Sequence, residues 1–258
     1  MKFNFLHTKN NIGYLTTPQT EFADVYVDVR QKEGRILSNE QVENLPYISP
    51  QNPHYNEWIA RQRSTERFLT YLSTKTTALH ILDVGCGNGW FTHKMATLSN
   101  HLTVVGLDVN PPELEQAHTV FKAENLQYVY ADIFEGQEHF KQQYDLITLN
   151  ACVQYFEDFK ALFSVLKSFI KPKGEIHILD SFFYPENEIV NAKKRTFQYY
   201  ESLGFPEMAS NYFHHSLNSI ADFDVLYRPK NGIFQKLFRK KDTPFMWLQY
   251  ILTETKND

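Results

Sequence analysis

From about Leu79 onward, short apolar runs alternate with segments whose apolar residues recur at helical spacing, the pattern of a parallel sheet with crossover helices. The runs at residues 80–84, 102–108, 126–130, 144–150 and 175–180 are rich in β-formers and almost continuously apolar, which predicts strands buried on both faces. Between them, Phe91, Met95 and Leu98 fall on one helical stripe, as do Leu114, Ala117 and Phe121, and then Phe159, Leu162, Phe163, Leu166 and Ile170. Asn110 before Pro111 reads as a helix cap with proline in the first turn, and Pro172 with Gly174 stops the helix near Ile170.

Beyond residue 180 the spacing predicts a helix over 186–203 closed by Gly204, then strands at 223–227 and 245–252 forming an antiparallel hairpin. Ahead of the sheet, 21–46 is polar and irregular, 50–53 is a turn, and 56–73 is an amphipathic helix using Trp58, Ile59, Phe68, Leu69 and Leu72. The expected architecture is a doubly wound α/β domain over 78–258, mostly parallel with a terminal hairpin, behind an N-terminal helical cap or lid of residues 1–77.

Composition narrows the partners. With 42% hydrophobic residues, 21 Phe and 15 Tyr, the 258-residue chain has ample material for a packed core and apolar pocket walls. A formal charge of -4 carries no electrostatic footprint for a polyanion, so no nucleic-acid partner is expected. Cys86 and Cys152 make neither a disulfide framework nor a zinc spacing, which predicts a cytoplasmic protein without a metal. The N-terminus lacks a sustained apolar stretch, and no run approaches the roughly 20 apolar residues of a membrane span. Within 233–241, Lys236, Arg239, Lys240 and Lys241 alternate with Ile233, Phe234, Leu237 and Phe238. A solvated hairpin loop is the plain reading, with peripheral membrane contact as the alternative.

The chemistry concentrates where strands end. Asp83-Val84-Gly85-Cys86-Gly87-Asn88-Gly89 leaves the first strand and enters a helix. Glycines there allow a tight turn and close approach of a ligand to the backbone. Asp108, ending the second strand about twenty residues on, suits both hydroxyls of a ribose. Asp132 follows the third strand, where its carboxylate suits an adenine amino group and Ile133 the ring. A nicotinamide-binding dehydrogenase shares part of this pattern, but its G-x-G-x-x-G fingerprint needs the third glycine one position later.

Together these residues resemble the class I S-adenosylmethionine-dependent methyltransferases, especially the small-molecule, methyltransferase type 11 group that includes quinone-biosynthesis enzymes, over residues 78–181. The resemblance implies a Rossmann-like fold, S-adenosylmethionine as cofactor and S-adenosylhomocysteine as product. It implies cofactor contacts from Asp83, Gly85, Cys86, Gly87 and Gly89, from Asp108 and Val109 at the ribose, from Asp132 and Ile133 at adenine, and from Asn150 near the methionyl group. A catalytically silent cofactor-binding protein is the alternative within the same fold.

Plainer roles compete with several of these. Asp83 also suits a carboxylate satisfying loop amides, Cys86 a small packing residue, and His177 a core histidine, while His214 and His215 cannot both face one pocket if extended. Because the sulfonium methyl is already activated, the protein's main task is alignment and exclusion of water. The catalytic candidates at the rim of the fourth and fifth strands are Asp180 and Tyr155. An acceptor site enclosed by the cap would use Tyr55, Trp58, Arg61 and Tyr184 around a small organic molecule. On this view, deleting residues 1–55 leaves cofactor binding largely intact but abolishes methyl transfer, because the acceptor loses its enclosure.

Overall fold

The computed structural model describes residues 3–229 and 242–253. Its main sheet has nine strands: β1 (His7–Lys9), β2 (Ile12–Tyr14), β3 (Leu79–Val84), β4 (Leu102–Asp108), β5 (Leu126–Tyr130), β6 (Tyr144–Asn150), β7 (Ile170–Leu179), and, numbered after a separate two-stranded pair, β10 (Asp224–Tyr227) and β11 (Trp247–Ile251). That pair is β8 (Phe183–Tyr184) with β9 (His215–Ser216), running parallel. The order across the main sheet is β1-β2-β5-β4-β3-β6-β7-β11-β10. Pairing is parallel from β2 through β7 and antiparallel at both edges. The chain order reverses between β3 and β6, the crevice where open α/β sheets bind ligands.

Among the described residues, seven α-helices accompany the sheet: α1 (Thr20–Lys32), α2 (Asn39–Glu43), α3 (Tyr55–Leu72), α4 (Trp90–Ala96), α5 (Pro111–Val120), α6 (Phe159–Phe169) and α7 (Ile189–Leu203). Alternation along the strands feeds two cores. Leu82, Val84, Val105 and Leu107 pack on the face covered by α6, whereas Ile81, Leu102 and Val104 pack on the face covered by α3, α4 and α5. The predicted caps are present. Asn110 accepts from the Glu113 amide at the start of α5, and Gly204 closes α7 with a φ of 88°.

The sequence expectation for β7 was too short, because Lys171, Pro172, Lys173 and Gly174 interrupt its apolar pattern while a register shift opposite Tyr144 and Leu146 keeps the strand paired. The N-terminal region differs more. Residues 21–46 are not irregular but carry α1 and α2. Valines lower the intrinsic helicity of α1, and packing of Val29 against Tyr200 and Met208 supplies what propensity does not.

Strand β2 was invisible at three residues, yet it lies beside β5, with Tyr14 stacked on Tyr130 at 4.8 Å. This weighs against the truncation expectation. Ile12, Tyr14 and Leu15 are all 3% exposed or less, and at roughly 1.5–3 kcal/mol per buried side chain their loss would remove a large part of the stability of an ordinary domain. The terminal hairpin forms as expected, although the basic segment 233–241 lies outside the described residues. Among the described residues, no helix is long and apolar enough to cross a membrane.

Candidate functional site

The loop after β3 is shaped by close approach. Gly85 and Cys86 both donate their amides to the Leu107 carbonyl, at 2.8 and 3.0 Å, which pins the loop over the end of β4. Gly85 has a φ of 69°, and a Cβ there would lie 2.6 Å from the Cys152 Cβ. Gly89, with a φ of 75°, opens α4, and a Cβ there would meet the Tyr128 hydroxyl at 2.5 Å and the Ala117 Cβ at 2.7 Å. Only glycine satisfies both positions.

Three carboxylates gather beneath this loop. Asp83, 1% exposed, accepts from the Thr148 hydroxyl at 2.7 Å and the Thr92 hydroxyl at 2.6 Å, tying β3 to β6 and α4. Its partners are therefore side-chain hydroxyls rather than loop amides. Burial pushes its carboxyl up to about 7, with the two threonines pulling the other way. Asp108 accepts from the Gly87 amide at 2.8 Å and the Asn110 amide at 2.9 Å, and burial raises its carboxyl in spite of those amides.

Glu113 was missed by the sequence reading. It projects from the first turn of α5, and a Cβ on Gly87 would come within 2.6 Å of its Oε2. Burial, then the neighbouring Asp108, raises its carboxyl. Its position three residues after the Asn110 cap was the available signal. Just past β5, Asp132 donates its amide to the Thr16 hydroxyl at 2.9 Å and turns one carboxylate oxygen back to accept from the Phe134 amide at 2.7 Å.

These groups open into a cavity of about 2120 Å³ that runs from the glycine loop to a wall built by α1, α3 and α7. Asp83, Gly85, Cys86, Gly87, Asp108 and Val109 line it, as do Asp132, Ile133 and Asn150. Gly89 is turned away into the Tyr128 contact. Tyr55, Trp58, Arg61, Tyr155 and Asp180 also reach the cavity. Tyr184 does not, because its ring packs against His214 at 5.4 Å and Phe182 at 6.1 Å.

The far wall is held by an alternating ion ladder that no sequence signal revealed. Arg30 meets Glu33 at 2.7 Å, Glu33 meets Arg35 at 3.1 Å, Arg35 meets Glu57 at 2.8 Å, and Glu57 meets Arg61 at 2.8 Å, coupling α1 to α3. Burial opposes ionisation of Glu57, but Arg35 and Arg61 more than offset it and hold the carboxyl down at about 2. Arg30 also donates to the Tyr155 hydroxyl and lies 4.8 Å over the Tyr26 ring, while Arg61 lies 5.3 Å over Trp58.

Among the described residues, two buried acceptor atoms on this rim have no hydrogen-bond partner: Asn150 Oδ1 at the end of β6 and Asp180 Oδ2 just past β7. Such buried groups are satisfied by an ordered water or by a local rearrangement when a ligand binds. The other candidates have structural partners. Burial lowers the basicity of His177, which is fully buried and bonded to Trp247 Nε1 at 3.1 Å and Glu175 at 3.0 Å. His214 meets the Thr196 hydroxyl at 2.8 Å and His215 the Val153 carbonyl at 3.2 Å. Burial also raises the Cys86 thiol, leaving it unreactive. Among the described residues, no His, Cys, Asp and Glu cluster could hold a metal ion.

The carboxylate acceptors suit a nucleoside bearing positive charge better than a dinucleotide. Asp108 and Glu113 together would repel a pyrophosphate at the loop, whereas a sulfonium or ammonium group is favoured beside them. Comparison with known proteins agrees with this geometry. A family model described as a methyltransferase domain matches residues 75–241. A malonyl-[acyl-carrier protein] O-methyltransferase from Ilyobacter polytropus is 30% identical over 124 residues, 47% of this chain and 47% of that protein. A ubiquinone biosynthesis O-methyltransferase from Erwinia tasmaniensis is 27% identical over 96 residues, 37% of this chain and 40% of that protein. The chain thus spans less than half the length of these relatives. In fold, it is similar to magnesium protoporphyrin IX methyltransferase from Synechocystis with bound S-adenosylhomocysteine, at a TM-score of 0.56 and 13% identity, covering 89% of this chain and 100% of that one.

Proposed function

The chain belongs to the methyltransferase-domain family, and from that premise we propose that it transfers the methyl group of S-adenosylmethionine to a small organic acceptor, releasing S-adenosylhomocysteine. The observation that carries this reading is one continuous cavity with the glycine loop and Asp108 at one end and a wall of arginines and aromatic rings at the other. At about 2120 Å³ it exceeds the roughly 300–1,000 Å³ of a small-ligand pocket, which leaves room for cofactor and acceptor together.

In this reading Gly85, Cys86 and Gly87 present backbone to the methionine portion, and Asn150 lies near the methionyl group. Asp108 and Val109 hold the ribose with Glu113 beside them, and Asp132 with Ile133 hold adenine. Asp83 braces the loop through its threonines, and Gly89 lets α4 begin against β5. Bound S-adenosylmethionine supplies an activated methyl group, so the chain's own work is to orient an acceptor and exclude water. Within the N-terminal segment, α1 and α3 act as the lid, while β1 and β2 belong to the sheet. Tyr55, Trp58 and Arg61 of α3 face the acceptor, Tyr155 is held in place by Arg30, and Tyr184 supports the wall from behind.

The relatives named O-methyltransferases favour an oxygen acceptor. Incubation with S-adenosylmethionine and a panel of small hydroxylated compounds should yield acceptor-dependent S-adenosylhomocysteine by mass spectrometry. Tight cofactor binding with no turnover across a panel that contains the acceptor would favour the silent reading.

A further inference from the structure

The far wall of the cavity presents two phenolic hydroxyls, those of Tyr200 and Tyr212. Tyr200 of α7 is 4% exposed, its ring packed with Val29 and Met208. Tyr212 follows the turn at 206–211, where the Phe213 amide donates to the Gln154 carbonyl at 2.7 Å and holds the segment beside Tyr155. The Tyr155 and Tyr212 rings meet edge-on at 5.9 Å, and Tyr212 meets Tyr200 at 6.1 Å. All three line the cavity. Among the described residues the Tyr200 and Tyr212 hydroxyls have no hydrogen-bond partner, and neither is one of the solvent-excluded orphan atoms, so both offer surface that a ligand in the cavity can touch.

Positive charge stands behind them. Arg30 donates to the Tyr155 hydroxyl, and its side chain, 20% exposed, lines the cavity. In the ladder that it begins, three guanidiniums share the two carboxylates of Glu33 and Glu57, which leaves one positive charge uncompensated. Arg195 of α7 also lines the cavity and forms no ion pair among the described residues. It acts electrostatically on His214, whose ring lies 5.3 Å from Tyr212. The further carboxylate that acts on Arg30 is Glu113, at the cofactor end, and burial raises it toward its neutral form.

We propose that Tyr200, Tyr212 and Arg30 form an anion subsite, so that the methyl acceptor is an anionic compound whose carboxylate or phosphate group is held on this wall. The proposal rests on the methyl-transfer reading above and adds to it the class of acceptor. The oxygens of an ionised carboxylate or phosphate accept hydrogen bonds, and the wall offers two O–H donors beside a guanidinium, the complementary set. Burial raises both phenols, so they remain protonated donors at neutral pH.

A group of tyrosines can instead hold a cation against its ring faces. Here that place is taken. The Arg30 guanidinium lies 4.8 Å over the Tyr26 ring, which meets Tyr155 edge-on at 5.5 Å, and a second cation beside it would be repelled. The cavity is polarised along its length, with Asp108 and Glu113 at the cofactor end and Arg30 and Arg195 at the other, so a cationic cofactor and an anionic acceptor each meet the opposite charge.

The test uses the full chain saturated with S-adenosylhomocysteine, whose binding is first measured by calorimetry, and probes that share one ring: benzoate, phenyl phosphate, benzyl alcohol and benzyltrimethylammonium. Ligand-detected NMR titration at fixed ionic strength gives each affinity. Benzoate or phenyl phosphate should bind at least about tenfold more tightly than benzyl alcohol, and the tighter of the two identifies the group that the wall holds. Tyr200→Phe and Tyr212→Phe keep the packed rings and remove one oxygen each. Each should weaken the tighter anion about three- to tenfold and leave benzyl alcohol within about twofold. Arg30→Gln should abolish the preference for the anion, and the two tyrosine variants carry the test if thermal melts show that this one does not fold. No binding of either anion, equal binding of benzyl alcohol, tighter binding of benzyltrimethylammonium, or parental anion affinity in both tyrosine variants overturns the proposal. Failure of the parent to bind S-adenosylhomocysteine overturns the underlying reading instead, and the anion titrations are then read on the unliganded chain.

Discussion

Asp83→Asn should make the unliganded protein less sensitive to pH. In the parent, the folded-state carboxyl lies at about 7, against about 3.9 for an aspartate in the unfolded chain. For an acid raised on folding, the stabilising contribution is full below the unfolded value and is lost as pH rises through the folded one. Between pH 5 and pH 7 the folded parent keeps much of a proton that the unfolded chain has released, so its stability falls by up to about 1.36 kcal/mol per unit, or about 2.3 kcal/mol across the window. The isosteric amide still accepts from one of Thr92 and Thr148 and donates to the other hydroxyl, so packing is preserved. Urea unfolding of both proteins at pH 5, 6, 7 and 8 without cofactor gives the comparison directly. The variant should gain on the parent by about 2–3 kcal/mol over this range and then level off. Parallel curves, or a difference that widens toward acid, would refute the claim that burial of Asp83 is uncompensated.

Other substitutions separate the roles of neighbouring residues. Gly85→Ala should cost about 2–5 kcal/mol, from left-handed strain plus overlap with Cys152, while Gly87→Ala should cost about 1–2 kcal/mol because only the end of Glu113 must move; equal losses in thermal melts would contradict that order. Asp108→Ala strands the Gly87 and Asn110 amides and should weaken S-adenosylmethionine binding roughly 10–100-fold by calorimetry, whereas parental affinity would remove Asp108 from the ribose. Glu57, held at about 2 in the folded state, stabilises above the unfolded value of about 4.3 and loses that contribution as pH falls toward 2. Glu57→Gln should therefore cost about 1–3 kcal/mol at pH 7, with the gap closing in acid; a gap independent of pH would mean the ladder acts through packing alone.

Much of the sheet was legible because its central strands are buried on both faces, and a continuous apolar run bounded by turn residues has little other interpretation. Residues 102–108, 126–130 and 144–150 coincide with β4, β5 and β6. Strand β2 and helix α1 were not legible, since three residues carry no period and valines blur a helical stripe; both exist through contacts with distant β5 and α7. The same distance hid the cavity's far wall. Arg30 and Tyr26 meet Tyr155 only after α1 packs beside the segment that follows β6, a juxtaposition with no local signature. Gly89 and Tyr184 show the converse. Each sits beside residues that line the cavity, but backbone direction turns one toward Tyr128 and the other toward His214.

The most direct measurement is calorimetric titration of the purified full chain with S-adenosylmethionine, S-adenosylhomocysteine and NAD in turn. The account predicts saturable one-to-one binding of both sulfur ligands and no heat from NAD, whose pyrophosphate would meet Asp108 and Glu113. NAD binding with no response to either sulfur ligand would contradict it.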